Sequence, residues 1–344
     1  MDVLRWSLAL GLAILAPLGA GCGSTPEAPA ILEDGKSLWR RVETEHFVVE
    51  SNASSERKVL RIAGEFEVLW HAFASVPILG LRPPSEKPIV VVLRDTDEYR
   101  YIASELTAGF FVQETALGPL IVLPPNRGAF EEVVIKHELA HFIGSESLDQ
   151  APKWMQEGLA QVMETASYDV QKGEILFGSH SSGRVQDASY PLPAERFTGP
   201  WPSEVSAVEA AAYYARSWLL CHYLIDNELQ GFLDMLVRIR NGEPWQTAWA
   251  QEILVRPSEI DDALDRYHMR AKYGLWTVQA QLPDPSAFHF SDVSRAEALA
   301  LRSVLYTCSS KAEAAEQDLG AARALDPGSE RVRKVSESRA TAQR

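Results

Sequence analysis

Cysteine is scarce in this sequence, which has three cysteines, Cys22, Cys221 and Cys308, among 344 residues. None belongs to a Cys-x-x-Cys pair and none has zinc-ribbon spacing, which excludes a structural zinc site built from cysteine. Cys221 lies in a helical stretch rich in alanine, leucine and tryptophan, where a buried free thiol is expected. A disulfide between Cys221 and Cys308 stays open as an alternative for an oxidising compartment.

Positive charge is also scarce, since 33 Lys and Arg stand against 47 Asp and Glu, a net charge of −14. Contacts with phosphates need clustered Lys and Arg, so we expect no nucleic-acid partner. Electrostatic attachment to anionic lipid is equally disfavoured. With 46% hydrophobic and 23% charged residues, the composition is that of a folded soluble protein, long enough for one large domain with a smaller appendage or two medium domains.

Several catalytic signatures are missing. The chain has no Gly-x-Ser-x-Gly elbow, and neither Cys221 nor Cys308 lies in the local setting of a catalytic thiol. It also lacks a P-loop and a dinucleotide-binding glycine fingerprint. Serine or cysteine nucleophiles and nucleotide chemistry are therefore disfavoured.

The N-terminus predicts export. Arg5 provides a positive start, residues 8–15 form a short apolar core, and small residues at 19–21 lead to Cys22. Because the apolar run is short and is interrupted by Pro17, it is typical of a secretory signal rather than of a membrane span.

The end of this signal resembles that of a bacterial lipoprotein, in which the cysteine is lipidated and becomes the mature N-terminus. Gly19 stands where leucine is usual, and Leu18 comes one place too early. The resemblance implies a lipid anchor on Cys22 and an outer-membrane location in the bacterial cell envelope, facing the periplasm or the cell surface. Ordinary cleavage and release is the alternative. Residues 23–35 are Pro-rich and predict a tether.

Hydrophobic periodicity predicts an α+β fold with a small mixed sheet followed by a helical region. Strands are expected at 45–50, 88–93 and 120–123, and helices at 54–75, 98–104, 130–144, 152–166, 206–227, 231–241 and 258–273. The stretch 168–202 is rich in Gly, Ser and Pro, and a β-hairpin and a mobile loop both stay open for it. We expect the strand at 120–123 to be an edge strand that pairs with an extended peptide.

The C-terminal residues 290–344 predict a helical tail. Seven residues fall at the offsets of one tetratricopeptide unit, namely Leu299, Ser303, Tyr306, Ala315, Leu319, Ala322 and Pro327. An ordinary helical hairpin docked on the main domain is the alternative. The predicted organisation is a signal at 1–22, the tether at 23–35, a main domain at 36–275 and the tail, which is a candidate surface for a protein partner.

The chemical signal lies at residues 137–141, His-Glu-Leu-Ala-His. On a helix, His137 and His141 lie one turn apart on one face, as two ligands of one metal ion require. Glu138 is offset by one position, so it can reach a water bound to that ion without binding the ion itself. The spacing predicts a metal site with Glu138 as general base.

A second helix is predicted to complete this site. Pro152 begins it, and Glu157 can return a carboxylate to the two histidines as third ligand. Two histidines and one glutamate leave a fourth position for water, which distinguishes a catalytic zinc site from a structural one. Gln161 follows one turn after Glu157, and we expect it to orient Glu157 or a ligand histidine.

These residues resemble the gluzincin metallopeptidases, in particular the bacterial peptidase MA-like group. The resemblance rests on His137, Glu138 and His141 followed by Trp-Met-Gln-Glu-Gly-Leu-Ala at 154–160, and it extends less specifically from near residue 47 to about 267. It implies a zincin-like fold, with a mixed sheet lobe, the metal-binding helix and a helical lobe. The spacer between the second histidine and Glu157 is shorter than in thermolysin-type members, which indicates the compact branch.

The resemblance also implies a function and a further catalytic residue. Tyr214 matches a Tyr-Ala pair of the family and is the candidate donor to the oxyanion, with Tyr213 behind it. The expected activity is zinc-dependent hydrolysis of peptide bonds in a peptide or protein substrate. A non-catalytic envelope scaffold with a structural zinc site and a zinc hydrolase of a non-peptide amide stay open.

The other histidines have no predicted role. His180 lies in a Gly- and Ser-rich stretch, where a solvent-exposed histidine is favoured over one that contacts substrate. The remaining five have no ligand-like spacing, namely His46, His71, His222, His268 and His289.

Overall fold

The structure is a computed structural model that describes residues 39–342, apart from 53–54, 75–85, 95, 104–108, 126–128, 170–171, 181, 202–204, 271 and 280–282. The expected signal, Cys22 and the tether at 23–35 lie outside the described residues. Within the described ranges, no helix combines the length and the apolar character that crossing a membrane requires.

Among the described residues, nine strands lie in two sheets. In chain order they are β1 (Arg40–Glu43), β2 (Val48–Ser51), β3 (Ile89–Val92), β4 (Phe110–Val112), β5 (Leu120–Leu123), β6 (Ser167–Asp169), β7 (Glu174–Phe177), β8 (Trp276–Gln279) and β9 (His289–Asp292). The larger sheet has the order β4-β5-β3-β2-β1-β9, and the smaller one the order β6-β7-β8. Strands β2, β3 and β5 are parallel and their outer neighbours antiparallel, which confirms the expected small mixed sheet.

Thirteen helices accompany the sheets in the described residues, and this confirms the α+β class. They are α1 (Glu56–Ala74), α2 (Thr96–Ile102), α3 (Ala129–Gly144), α4 (Lys153–Met163), α5 (Ser182–Ala188), α6 (Ala194–Thr198), α7 (Ala207–Asn227), α8 (Leu229–Arg240), α9 (Trp245–Glu252), α10 (Ile260–Met269), α11 (Arg295–Cys308), α12 (Ala312–Leu325) and α13 (Glu330–Ala342).

The larger sheet is covered on both faces, which explains its continuous apolar strands. Successive side chains of a strand point to opposite faces. In β3, Val90 and Val92 join the hydrophobic cluster that contains α1 and α3, whereas Ile89 and Val91 join the cluster that contains α11 and α12. The sheet therefore separates the helices next to the histidine pair from the C-terminal helices.

The C-terminal tail is tied to the sheet by a strand and by buried charge. Strand β9 pairs with β1, and Arg331 of α13 donates to both oxygens of Glu50 on β2, at 2.6 and 2.8 Å. Burial raises the pKa of Glu50, but its hydrogen bonds to Arg331 and the charges of Arg331 and Arg41 lower it by more than burial raises it. The net pKa of Glu50 therefore lies below its ordinary value. The expected helical pair is present as α11 and α12, with α13 as a third helix.

The stretch 168–202 contains an antiparallel hairpin, β6 and β7, followed by α5 and α6. The hairpin interpretation is therefore confirmed for its first part. Strand β8 returns from residue 276 to complete the small sheet. Short-range turn signals could not indicate this third strand, because it lies almost a hundred residues further along the chain.

One expectation was wrong. The strand at 120–123 is not an edge strand, because β5 lies between β4 and β3, and the edge belongs to the three-residue β4. The expected buried free thiol of Cys221 is confirmed, and the disulfide that stayed open as an alternative is not formed, since Cys221 and Cys308 are both free thiols. Cys221 belongs to the cluster on one face of the sheet, whereas Cys308 packs against the cluster on the other face.

Candidate metal centre

Helix α3 directs His137 and His141 to the same point. The two imidazoles are one turn apart, and their Nε2 atoms lie 3.0 Å from each other. Leu139, Phe142 and Ile143 are fully buried and hold the helix in the core. These buried side chains fix the face of the helix that carries the histidine pair.

Helix α4 brings the third group to this point. The Oε2 atom of Glu157 lies 3.2 Å from His137 Nε2 and 3.4 Å from His141 Nε2. The expected grouping of His137, His141 and Glu157 is therefore present, and it could hold a metal ion.

Gly158 explains how α4 packs closely on α7. A Cβ atom at this position would lie 2.5 Å from Cys221 Sγ and 2.8 Å from the carbonyl carbon of Ser217, both on α7. Such distances are far inside van der Waals contact. The glycine after Glu157 therefore allows α4 to pack directly on the backbone of α7.

The environment of Glu157 suits a cation. Its side chain is buried, and neither carboxylate oxygen has a hydrogen bond of normal geometry from the described part of the chain. The ion-pair partners within range are His137, His141 and Lys153 Nζ. A buried carboxylate in this state needs a compensating positive charge.

The pKa values report a strong local field. Burial raises the pKa of Glu157, but the charges of His141 and Lys153 and the close contacts with the two imidazoles lower it well below its ordinary value. For His137, burial lowers the pKa, whereas contacts with Glu157 and Glu164 raise it to about 10. Without an ion, the two carboxylates therefore favour a proton on His137.

The environment of Glu138 shifts its pKa in the opposite direction to that of Glu157. Its side chain is buried and its Oε2 has no hydrogen-bond partner in the described residues. Burial raises its pKa, the nearby His137 and His141 lower it, and the Glu157 charge raises it again, so that the net pKa is above its ordinary value. A carboxylate with a raised pKa is better able to accept and return a proton near neutral pH.

Strand β4 begins beside Glu138. A Cβ atom on Gly109, the residue before β4, would lie 2.9 Å from Val134 Cγ1 and 3.7 Å from Glu138 Cγ. The edge strand of the larger sheet therefore approaches α3 at the level of this carboxylate. The edge expected at residues 120–123 lies one strand further out, at β4, for which the sequence predicted no strand.

The ligand histidine His137 is oriented by Glu164, which sequence analysis missed. Glu164 Oε2 accepts from His137 Nδ1 at 2.8 Å, and Glu164 is itself paired with Arg184 of α5. This bond leaves Nε2 of His137 facing Glu157. Glu164 follows Glu157 by seven residues, two helical turns, and this spacing is the signal in the sequence that could have identified it.

Gln161 contacts the backbone and Arg184 rather than a ligand side chain. Its Nε2 donates to the carbonyl oxygens of Tyr214 at 2.8 Å and Glu157 at 3.3 Å, and its Oε1 accepts from Arg184 at 2.5 Å. Gln161 thus joins α4 to α7 and holds the arginine that pairs with Glu164.

Tyr214 lies on α7 and its ring packs edge-on against Trp201, with 5.1 Å between the ring centroids. Burial raises its pKa, and the charges of Glu157 and Glu138 raise it further. The phenol therefore experiences the field of both carboxylates and keeps its proton. Tyr213 is buried behind it and also packs on Trp201.

Three of the other histidines have local partners. His180 is exposed and packs on Tyr273, with 4.6 Å between the ring centroids. His222 is buried, with Nδ1 2.8 Å from the Tyr267 hydroxyl, and His268 contacts Ser189. His46 and His71 instead lie close to each other and to two glutamates, Glu45 and Glu67.

No family model matches the chain, and no curated protein is significantly similar to it in sequence. The functional interpretation therefore depends on the residues of the site.

Proposed function

We propose that the chain is a zinc-dependent hydrolase that cleaves peptide bonds, with His137, His141 and Glu157 as the zinc ligands. One observation carries the proposal: the three ligand atoms lie 3.0, 3.2 and 3.4 Å apart. Two atoms that bind zinc at 2.0–2.1 Å with a tetrahedral angle are separated by about 3.3 Å. The triangle therefore has the dimensions of three corners of a zinc tetrahedron.

The donor set favours a catalytic role over a structural one. Two histidines and one carboxylate leave the fourth zinc position for a solvent molecule or a substrate atom. When bound, zinc acidifies a water molecule and polarises a carbonyl oxygen. A structural site has no use for the buried carboxylate of Glu138 beside the open position, and this argues against the scaffold alternative.

Glu138 is the proposed general base and, later, the proton donor to the leaving amine. Its raised pKa helps both steps, because the carboxyl group binds the proton more firmly than an exposed glutamate does. Tyr214 is the proposed hydrogen-bond donor to the developing oxyanion, and its raised pKa keeps the phenol protonated.

Strand β4 supports a peptide as the substrate. It pairs with β5 on one side, and no described strand pairs with its other side. An extended chain that hydrogen-bonds to this free edge would run past Gly109, next to Glu138. Backbone pairing of this kind recognises the amides of a peptide, which a non-peptide amide presents less regularly.

The gluzincin resemblance enters here as part of the proposal. A mixed sheet with α1 and α3 on one face, followed by helices that carry the third ligand, is the organisation expected of a zincin-like fold. We propose in addition that the chain is exported and anchored through a lipid on Cys22, so that its substrates lie in the cell envelope or outside it.

The experiment compares cleavage of a diverse peptide library by the zinc-loaded wild type, Glu138→Gln and Glu195→Gln. Glu195 lies exposed on α6, so its substitution controls for the chemical change alone. We expect equal cleavage by wild type and Glu195→Gln, and a loss of at least about 100-fold in Glu138→Gln.

Two outcomes would count against the proposal. Equal cleavage by all three proteins would point to a contaminating protease and refute the role of Glu138. If the wild type binds zinc and cleaves no peptide, the peptidase is refuted, and amides of other chemistry become the substrates to test.

A further inference from the structure

A second group of metal-ligating side chains lies where the β1–β2 turn meets the end of α1. Glu45 and His46 belong to the turn, and His71 to the last turn of α1. One ligand atom from each residue lies within 4.8 Å of the other two, and His46 Nε2 is 3.7 Å from a Glu45 oxygen. His46 and His71 are 25 positions apart, so no local spacing could reveal the group.

The imidazole of His46 is oriented by a buried carboxylate. Glu67 Oε2 lies 2.8 Å from His46 Nδ1, and Glu67 Oε1 accepts from the His46 backbone N–H, also at 2.8 Å. Because a carboxylate accepts hydrogen bonds, Nδ1 carries the proton and the lone pair of Nε2 is available on the side of Glu45. Trp70 stacks on the same ring, with 4.5 Å between the centroids, and prevents it from turning.

This arrangement repeats that of the first centre. In each case two histidines and one glutamate converge, and one histidine donates from Nδ1 to a buried glutamate at 2.8 Å. Glu67 thus corresponds to Glu164. A carboxylate that fixes the tautomer of a histidine is the usual partner of a metal-binding imidazole.

We propose that Glu45, His46 and His71 form a second site for a divalent transition-metal ion, with Glu67 as the residue that orients His46. Imidazole nitrogens with a carboxylate suit zinc, copper or nickel rather than magnesium or calcium. His46 and His71 have side chains that are 22% exposed and Glu45 is largely exposed, so solvent completes the coordination and the ion exchanges more readily than in the buried first centre.

The position of the site links it to the core behind the histidine helix. Trp70 stacks on His46 with one face, and its ring centroid lies 5.9 Å from that of Phe142, the neighbour of His141. One aromatic side chain, Trp70, therefore lies between His46 and Phe142 of α3. The proposal does not depend on whether the first centre holds zinc or hydrolyses peptides.

The test counts zinc bound to the full chain after removal of metal and equilibrium dialysis against micromolar free Zn²⁺. Wild type is compared with His71→Gln and with His289→Gln, a control because His289 is an exposed histidine on β9. We expect His71→Gln to bind one equivalent less than wild type, and His289→Gln to bind the same amount as wild type. The result is the difference in zinc content between wild type and variant. Any zinc bound at the first centre is the same in both proteins and does not affect this difference.

Two further variants test the same site, and the first of them keeps the test independent of folding. Glu45→Gln alters a side chain that is 76% exposed, and we expect it to weaken zinc binding at this site at least about 10-fold. Glu67→Gln should weaken it by about 10- to 100-fold through the orientation of His46. Equal zinc content in wild type and folded His71→Gln would overturn the proposal, and so would loss of an equivalent in His289→Gln.

Discussion

Replacing Gly158 by alanine should separate α4 from α7 and displace Glu157 from its present position relative to the two histidines. The new Cβ would lie 2.5 Å from Cys221 Sγ and still closer to the carbonyl oxygen of Ser217, whereas ordinary contact begins near 3.4 Å. The two helices must therefore part by about 1 Å, because the obstructing atom is backbone and cannot rotate away.

The expected magnitudes follow from this displacement. Overpacking a tightly packed core costs about 1–3 kcal/mol of unfolding free energy. A zinc ligand tolerates errors of about 0.2 Å, so a shift of about 1 Å should weaken zinc binding, and a misplacement of this size lowers a rate by about 100-fold. Stability, zinc affinity and any peptidase activity should therefore fall together.

Gly320→Ala is the matched control. Gly320 lies within α12, and a Cβ there would meet nothing within 4 Å. Alanine in an unobstructed helical position should add about 0.5–1 kcal/mol, because glycine loses more backbone freedom on folding. Urea denaturation measures both variants, and a chelator competition measures zinc. If Gly158→Ala were stabilised like Gly320→Ala and bound zinc as wild type does, the account of helix packing at the site would be refuted.

Three other predictions concern charge. Glu164→Gln should weaken zinc binding about 10- to 100-fold without unfolding the chain, because His137 loses the carboxylate that orients it; unchanged affinity in a chelator competition would exclude this role. In the metal-free protein, the raised pKa of His137 should contribute stability that is complete below its unfolded value of about 6.5 and is lost as pH rises towards about 10. Denaturation at several pH values should show this decline in wild type and not in His137→Gln. Arg331→Met should cost up to about 3 kcal/mol, because Glu50 remains buried with Arg41 as its remaining cation, and the added change Glu50→Gln should recover much of this loss. Denaturation that shows no coupling between these two changes would contradict the buried ion pair.

The sequence by itself determined the features that depend on local geometry. Helical spacing put His137 and His141 on one face, and the apolar pattern around them required a buried helix. Helical periods identified most of the helices, strand periods identified β2, β3 and β5, and together they indicated the α+β class. An element whose buried side repeats every two or about 3.6 residues shows that repeat in the sequence. Glu157 was found because its own helix begins close to the histidine helix in the chain.

Tertiary structure decided what depends on contacts between distant segments. The edge strand of the larger sheet is β4, because pairing between strands determines their order in the sheet. Its three residues are too few to show the alternating hydrophobic pattern of a strand in the sequence. Glu164 became the partner of His137 only through the packing of α4 against α3. His46 and His71 became neighbours because the β1–β2 turn packs on the last turn of α1. A sequence specifies the face of its own helix or strand on which a side chain lies, but only packing determines which side chains meet across two elements.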